Sequence, residues 1–173
     1  MNLIGQKAKK ASFEKVNTKI KNKILKRYAL LLDKERNSII TANTKDIKFA
    51  LKKGLKNNLI DRLTINHKKL DNIKNSINKI TKLKDPVDNT LEKWSRPNGL
   101  RIKRVSIPIG VIGVIYESRP NVTSDVASLC FKSGNAVILK GGSEAVNTNK
   151  ILAKLFRKAL KENKVNENFI QFV

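Results

Sequence analysis

The first half of the chain has apolar residues at helical spacing. Isoleucines and leucines recur every three or four residues between lysines, as in the set Ile20, Ile24, Tyr28, Leu31 and Leu32. Such a stripe predicts amphipathic helices up to about residue 84. One helix is expected through Ile39–Ala50 and ends near Gly54, and another runs through Leu70–Ile80 with Thr64 as its cap.

The pattern changes at about residue 90, where short strands begin. Leu91–Arg96 and Leu100–Ile107 flank the turn residues Pro97-Asn98-Gly99, which predicts a hairpin. The run Ile107–Tyr116 is almost entirely apolar, which is typical of a strand buried on both faces of a parallel sheet.

Two further strands and two helices complete the chain. A helix is expected to start at Thr123-Ser124-Asp125 and to stop at Gly134, and a second helix follows Gly141-Gly142. Strands are expected at Ala136–Leu139 and Phe169–Val173. The order strand, helix, strand, helix, strand predicts a parallel sheet. The fold class is therefore α/β, with a helical region in residues 1–90, a hairpin in 91–107 and a βαβαβ unit in 108–173.

The net charge of +23 raises the possibility of nucleic-acid binding. The excess is +16 in residues 1–100 and +7 in residues 101–173, so it is spread along the chain. Aromatic residues are not interleaved with the basic ones as a base-stacking surface requires. We interpret the charge as a solvated surface and keep a basic nucleic-acid-binding module as the weaker alternative.

The remaining composition bears on the cellular location of the protein and on whether it holds a metal. No apolar run approaches the roughly 18 to 20 residues of a membrane span, and no secretory signal follows Met1. The single cysteine, Cys130, makes neither an internal disulfide nor a cysteine zinc cluster, and we expect no metal site. A cytoplasmic protein is the expectation.

Residues suited to a ligand follow the first two strands of the predicted sheet. These segments are Glu117-Ser118-Arg119-Pro120-Asn121 and Lys140-Gly141-Gly142-Ser143-Glu144. Ligands of open parallel sheets bind beyond the carboxyl ends of the strands. A lysine, two glycines and a following helix N-terminus suit a phosphorylated nucleotide, although a tight turn with a solvated lysine gives the same residues. The usual dinucleotide fingerprint and a Walker A loop are both absent.

The stretches Pro108–Thr123, Asp125–Cys130 and Lys132–Gly142 resemble the gamma-glutamyl phosphate reductase family of the aldehyde dehydrogenase superfamily, also called glutamate-5-semialdehyde dehydrogenases. Upstream, Asn43, Asp46 and the segment 59–63 fit the same family. The resemblance implies an aldehyde dehydrogenase-like dinucleotide-binding domain, whose variant sheet binds NAD(P) without the usual fingerprint.

The resemblance also implies roles for individual residues. Cofactor-binding positions would be Glu117, Ser118, Arg119, Pro120, Lys140, Gly141, Gly142 and Ser143. Lys140 would contact the adenosine ribose. Ser143 stands where many relatives carry a ribose-binding glutamate, and this change would suit the extra phosphate of NADPH. Asn121 matches an asparagine that helps to hold the oxyanion.

The implied reaction is the NADPH-dependent reduction of L-glutamate 5-phosphate to the 5-semialdehyde, with release of phosphate, in proline biosynthesis. A cysteine thiolate would form a thioester that NADPH reduces. The resemblance further implies a functional link to glutamate 5-kinase and a homo-oligomeric full-length protein. Another oxidoreductase of the superfamily is the alternative within this class.

The chain end and its cysteine predict an incomplete enzyme. Cys130 shares an apolar helical face with Val126 and Leu129 and matches a family position that is not the nucleophile. The family's nucleophile lies further along, and the last strand leaves an open sheet edge. We therefore expect an amino-terminal fragment that lacks its catalytic domain and is inactive alone.

Overall fold

The computed structural model of the protein describes residues 2–173. The helices and strands that were predicted individually occur in the expected order, whereas the helices Asn2–Ser12 and Asn57–Leu63 were not predicted individually. The helices are α1 (Asn2–Ser12), α2 (Thr18–Lys34), α3 (Arg36–Lys52), α4 (Asn57–Leu63), α5 (His67–Lys82), α6 (Pro120–Lys132) and α7 (Val146–Glu162). The strands are β1 (Thr90–Ser95), β2 (Arg101–Val105), β3 (Val111–Ile115), β4 (Ala136–Lys140) and β5 (Ile170–Phe172). Short 3₁₀ turns at Ser143–Ala145 and Glu167–Phe169 precede α7 and β5. The α/β class is confirmed.

The helical region contains the expected elements, but the cap of α5 differs from the prediction. Asn66, rather than Thr64, caps α5, because its side chain accepts a hydrogen bond from the Lys69 N–H at 2.8 Å. The Thr64 hydroxyl instead donates to the Ile60 carbonyl at the end of α4. Thr64 and Asn66 are both residue types that cap helices. Thr64 is already bonded to the end of α4, so Asn66 caps α5.

The hairpin is confirmed, with β1 and β2 antiparallel around the predicted turn. The Arg96 carbonyl accepts from the Gly99 N–H at 2.9 Å, and Gly99 has φ of 83°, a value that favours glycine. Both strands are almost fully exposed, so the hairpin projects from the rest of the described chain.

The sheet is parallel with the order β3-β4-β5, as the βαβαβ pattern predicts. The expectation that the first strand is buried on both faces is wrong. β3 is an edge strand with β4 as its neighbour in the described sheet, and Ile115 is 82% exposed. The strand is also shorter than the apolar run, because Ile107 and Ile109 precede it and are exposed.

A hydrophobic core joins the helical region to the sheet. The Tyr28 ring of α2 stacks on Phe156 of α7, with centroids 4.5 Å apart and planes inclined by 7°. Phe131 of α6 packs edge-on against both Phe156 and Phe169. Stacked and edge-to-face aromatic pairs add to the stabilisation from buried area. The sheet and its crossover helices are thus held in place by α2.

Within residues 2–173, none of the helices combines the length and the apolar character needed to cross a membrane.

Candidate functional site

The carboxyl ends of β3 and β4 lie side by side at one rim of the sheet. Ile115 is opposite Lys140 in the parallel register, and the Tyr116 N–H donates to the Lys140 carbonyl at 3.1 Å. We call residues 117–121 the first loop and residues 140–144 the second loop. The prediction that these two segments open on the same edge of the sheet is confirmed.

The predicted site residues differ in how far they reach solvent. Glu117, Arg119, Lys140 and Ser143 are exposed, and Gly141, Gly142 and Asn121 are partly exposed. Ser118 and Pro120 are buried. The exposed set, which includes two cations, can contact a ligand directly. Ser118 and Pro120 can act on a bound molecule only if their surroundings move.

Glu144 connects the two loops. Its carboxylate accepts hydrogen bonds from the hydroxyls of Ser118 and Ser143. The Ser118 hydrogen bond is the main cause of a lowered Glu144 pKa, so the carboxylate is ionised near neutral pH. A carboxylate therefore lies at this rim although position 143 is a serine. That the serine at position 143 suits the extra phosphate of NADPH therefore stays a prediction, since Glu144 keeps a carboxylate next to it.

Only residues 117–119 of the first loop are non-helical, because α6 begins at Pro120 instead of Thr123. Proline suits the first position of a helix, where its fixed φ fits and no N–H is required. Asn121 consequently lies in the first helical turn, and its amide donates to Asp125 at 3.3 Å. Thr123 and Ser124, expected at the helix start, are buried within α6. The role of Asn121 as an oxyanion donor stays a prediction.

The N-terminus of α7 is occupied by a side chain of the protein. The buried Asp46 carboxylate of α3 accepts from the Thr148 N–H at 2.8 Å and from the Asn147 N–H at 3.1 Å. It also accepts from the Thr148 hydroxyl at 2.6 Å and the Asn147 amide at 2.7 Å. An internal carboxylate therefore satisfies these donors at the start of α7, so an anionic ligand would have to compete with Asp46 for them.

A set of hydrogen-bonded polar side chains lies beneath the two loops. The Tyr116 hydroxyl is 2.6 Å from the Thr123 hydroxyl, which donates to the Asn149 side-chain oxygen at 2.8 Å. Burial raises the pKa of Tyr116, so the phenol remains protonated. Nearby, burial also raises the pKa of Asp125. Neither Thr123 nor Asn149 was predicted as part of the site, because each belongs to a helix pattern with no local mark of the contact.

Cys130 is the only cysteine of the chain and is buried. Burial raises the pKa of its thiol to about 11, which leaves very little thiolate at neutral pH. This environment supports the expectation that Cys130 is not the nucleophile.

The rim has properties that suit an elongated, negatively charged ligand. Lys140 and Arg119 place exposed cations at adjacent strand ends, and the backbone at Gly141-Gly142 is partly exposed. A Cβ at Gly141 would lie 2.3 Å from the Asn149 amide nitrogen, so this position requires glycine. Within the two loops, the cations of Lys140 and Arg119 are the groups that could pair with phosphates.

The fold defined by this sheet and its helices is that of the amino-terminal part of aldehyde dehydrogenases. A benzaldehyde dehydrogenase from Corynebacterium glutamicum superimposes with a TM-score of 0.71 over 96% of the chain and 34% of that protein, at 22% identity. At this identity the likeness concerns the fold alone. No protein-family model matches the chain.

Two solved gamma-glutamyl phosphate reductases superimpose more closely. The enzyme of Thermotoga maritima has a TM-score of 0.95 at 42% identity, and that of Saccharomyces cerevisiae has 0.92 at 31%. They are matched over 98% and 99% of the chain. A gamma-glutamyl phosphate reductase of Persephonella marina is 47% identical over 92% of the chain. By sequence and structure, the chain is similar to the amino-terminal part of the gamma-glutamyl phosphate reductases.

The chain spans about two fifths of the length of these relatives. It covers 36% of the Persephonella marina protein, and 42% and 45% of the Thermotoga maritima and Saccharomyces cerevisiae structures. The match corresponds to the amino-terminal part of the fold.

Proposed function

We propose that the chain is the cofactor-binding part of an NADPH-dependent gamma-glutamyl phosphate reductase. The complete enzyme would reduce L-glutamate 5-phosphate to L-glutamate 5-semialdehyde and release phosphate, a step of proline biosynthesis. The observation that carries the proposal is the pair of adjacent loops on β3 and β4, in a chain whose relatives bear this name over nearly all of its length.

In this proposal the exposed residues of the rim hold the cofactor. Lys140 contacts the adenosine ribose and its 2′-phosphate, Arg119 pairs with the other phosphates, and the partly exposed backbone of Gly141-Gly142 allows close approach. Glu117 and Ser143 lie on the same rim and contact the ribose or its substituents. When bound, the nicotinamide supplies the reducing equivalent. The protein positions it and neutralises the charge of its phosphates.

The preference for NADPH over NADH is the finer part of the proposal. The ionised Glu144 carboxylate is an obstacle to a 2′-phosphate, because the hydrogen bonds from Ser118 and Ser143 stabilise its charge without removing it. Lys140 and Arg119 supply the compensating positive charge. We therefore expect tighter binding of NADPH than of NADH, and a preference that weakens as salt is added.

The reaction would use a cysteine other than Cys130, whose thiol is buried and protonated. The thiolate forms a carbon–sulfur bond to the acyl phosphate as the carbon–oxygen bond to phosphate breaks. Reduction of the resulting thioester, with the bound cofactor as the source of hydride, would break the carbon–sulfur bond, release the semialdehyde and regenerate the thiolate. Asn121, in the first turn of α6, is the proposed donor to the oxyanion.

The wider setting follows from the same proposal. Residues 1–90 form a helical region against a cofactor domain that begins at residue 108, and the exposed hairpin 91–107 contributes to a homo-oligomer. The substrate would come from glutamate 5-kinase in the cytoplasm. The chain alone would bind cofactor without catalysing the reaction.

Lys140→Ala tests the site assignment. Removing a cation that contacts a cofactor phosphate should weaken NADPH binding about tenfold, which corresponds to about 1.4 kcal/mol. Binding to the chain can be followed by the fluorescence of the reduced nicotinamide. Lys150→Ala is the matched control, because Lys150 is an exposed lysine outside the two loops, on α7. Equal affinities for the wild-type chain and the Lys140 variant would contradict the proposal.

A further inference from the structure

We propose that Tyr116, Thr123 and Asn149 form a positioning chain that holds the first and second loops in register. None of the three touches the cofactor in this proposal, so they are positioning residues. Their effect on NADPH affinity rests on the proposed function. Their effect on the loops does not.

The three residues belong to three different elements that meet beneath the rim. Tyr116 follows β3, Thr123 lies in α6 and Asn149 lies in α7. Thr123 is 1% exposed and Asn149 is fully buried. Their hydrogen bonds, at 2.6 Å and 2.8 Å, therefore form in an environment where lost partners are not replaced by water.

Thr123 determines which group donates in each hydrogen bond of the positioning chain. A threonine hydroxyl has one hydrogen, and here it is donated to the Asn149 side-chain oxygen. The Tyr116 phenol must therefore donate to Thr123, in keeping with its raised pKa. Thr123 is the central member, because its hydroxyl is both the acceptor for one neighbour and the donor to the other.

Gly141 of the second loop lies against Tyr116 and Asn149, the two outer members of the positioning chain. A Cβ on Gly141 would lie 2.3 Å from the Asn149 amide nitrogen and 3.1 Å from the Tyr116 ring. Both groups are held by Thr123, so neither can move away without breaking a buried hydrogen bond. The position of Gly141 is thus set by Tyr116, which leads into the first loop, and by Asn149.

The Asn149 amide nitrogen is buried and has no hydrogen-bond partner within residues 2–173. Such an orphan donor costs about 1–3 kcal/mol, and an apolar side chain of similar shape would avoid that cost. An asparagine at this position is therefore poorly explained by stability alone. A role in orienting the loop above it explains the amide, because its oxygen is the acceptor that fixes Thr123.

Thr123→Val is the decisive variant. It keeps the shape of the side chain and removes the central hydroxyl, so it disconnects Tyr116 from Asn149. We expect backbone amides in residues 117–121 and 140–144 to exchange with deuterium about tenfold faster, with amides of α2 unchanged. Thr123→Ser keeps the hydroxyl and should restore slow exchange. In the same samples, the NADPH dissociation constant should rise about tenfold for the valine variant and little for the serine variant.

Ser124→Ala is the matched control. Ser124 is the next residue of α6 and is fully buried, and its hydroxyl lies 2.7 Å from the Tyr28 hydroxyl of α2, away from both loops. This variant also loses a buried hydroxyl, but it should leave the exchange of the two loops unchanged.

Each outcome decides between the explanations. Unchanged exchange in the loops of Thr123→Val, or faster exchange that extends equally to α2, would overturn the positioning chain. Faster loop exchange with unaltered NADPH affinity would overturn its importance for the cofactor. If the wild-type chain fails to bind NADPH while the exchange results hold, the proposed function fails and the positioning chain stands.

Discussion

Asp46→Ala tests how α7 is anchored beneath the rim. The carboxylate of Asp46 accepts four hydrogen bonds from Asn147 and Thr148, across about 100 residues of sequence. Alanine removes all four acceptor contacts and leaves the buried Thr148 N–H without a partner. The variant therefore removes both a helix cap and the negative charge at the N-terminus of α7.

The size of the effect can be worked out from these contacts. Loss of a helix cap costs about 0.5–2 kcal/mol, and an unsatisfied buried donor costs about 1–3 kcal/mol more. The Thr148 hydroxyl keeps one contact, since the Asn43 amide donates to it at 3.2 Å. We expect the free energy of unfolding to fall by about 2–4 kcal/mol, a large fraction of the stability of a small domain.

Urea denaturation followed by circular dichroism at 222 nm measures this change, provided the slope with urea is the same for both proteins. Asp61→Ala is the control, because the Asp61 side chain is 85% exposed and lies 3.9 Å from Lys69 in a solvent-facing pair. It should change the unfolding free energy by less than about 0.5 kcal/mol. A loss below about 1 kcal/mol for Asp46→Ala would refute the anchoring role and reopen the end of α7 as an anion site.

Three further predictions concern single positions. Gly141→Ala should lower the unfolding free energy by about 1–3 kcal/mol, because the added Cβ meets fixed side chains. Gly5→Ala, in open space on α1, should raise the unfolding free energy by about 0.5–1 kcal/mol. A urea titration in which the two variants behave alike would be inconsistent with the packing. Cys130 should react with a thiol reagent at pH 7.5 only after urea unfolding, and rapid labelling of the folded chain would contradict its burial and its raised pKa. Burial alone would raise the pKa of Asp85, but hydrogen bonds from the Lys21 ammonium and other donors outweigh it and lower the pKa. Asp85 therefore contributes stability above the ordinary carboxyl pKa that is lost as pH falls, so Asp85→Asn should flatten the unfolding free energy below about pH 4, and an unchanged acid profile would count against the pair.

Features set by neighbouring residues could be predicted from the sequence. The turn at Pro97-Asn98-Gly99 predicts the hairpin because only certain residues tolerate its backbone angles. The alternation of strands and helices predicts the parallel sheet, and parallel strands necessarily end at the same rim. The closeness of the first and second loops therefore followed from topology.

Features set by distant partners could not be predicted. The apolar run at Ile107–Tyr116 does not indicate whether the strand pairs with one strand or with two. In the described sheet, β3 pairs with β4 and lies at the edge. The contact of Asp46 with Thr148 joins residues 102 positions apart, and that of Thr123 with Asn149 joins residues 26 apart. Each of these residues looks like an ordinary polar position of a helix until the helices are packed.

Titration of the ¹⁵N-labelled chain with NADPH, followed through the amide shifts, shows whether the two loops together bind a dinucleotide. We expect the largest saturable changes in residues 117–121 and 140–144, with small changes in the hairpin and in α5. Saturable changes confined to other surfaces, or none at millimolar NADPH, would contradict this expectation.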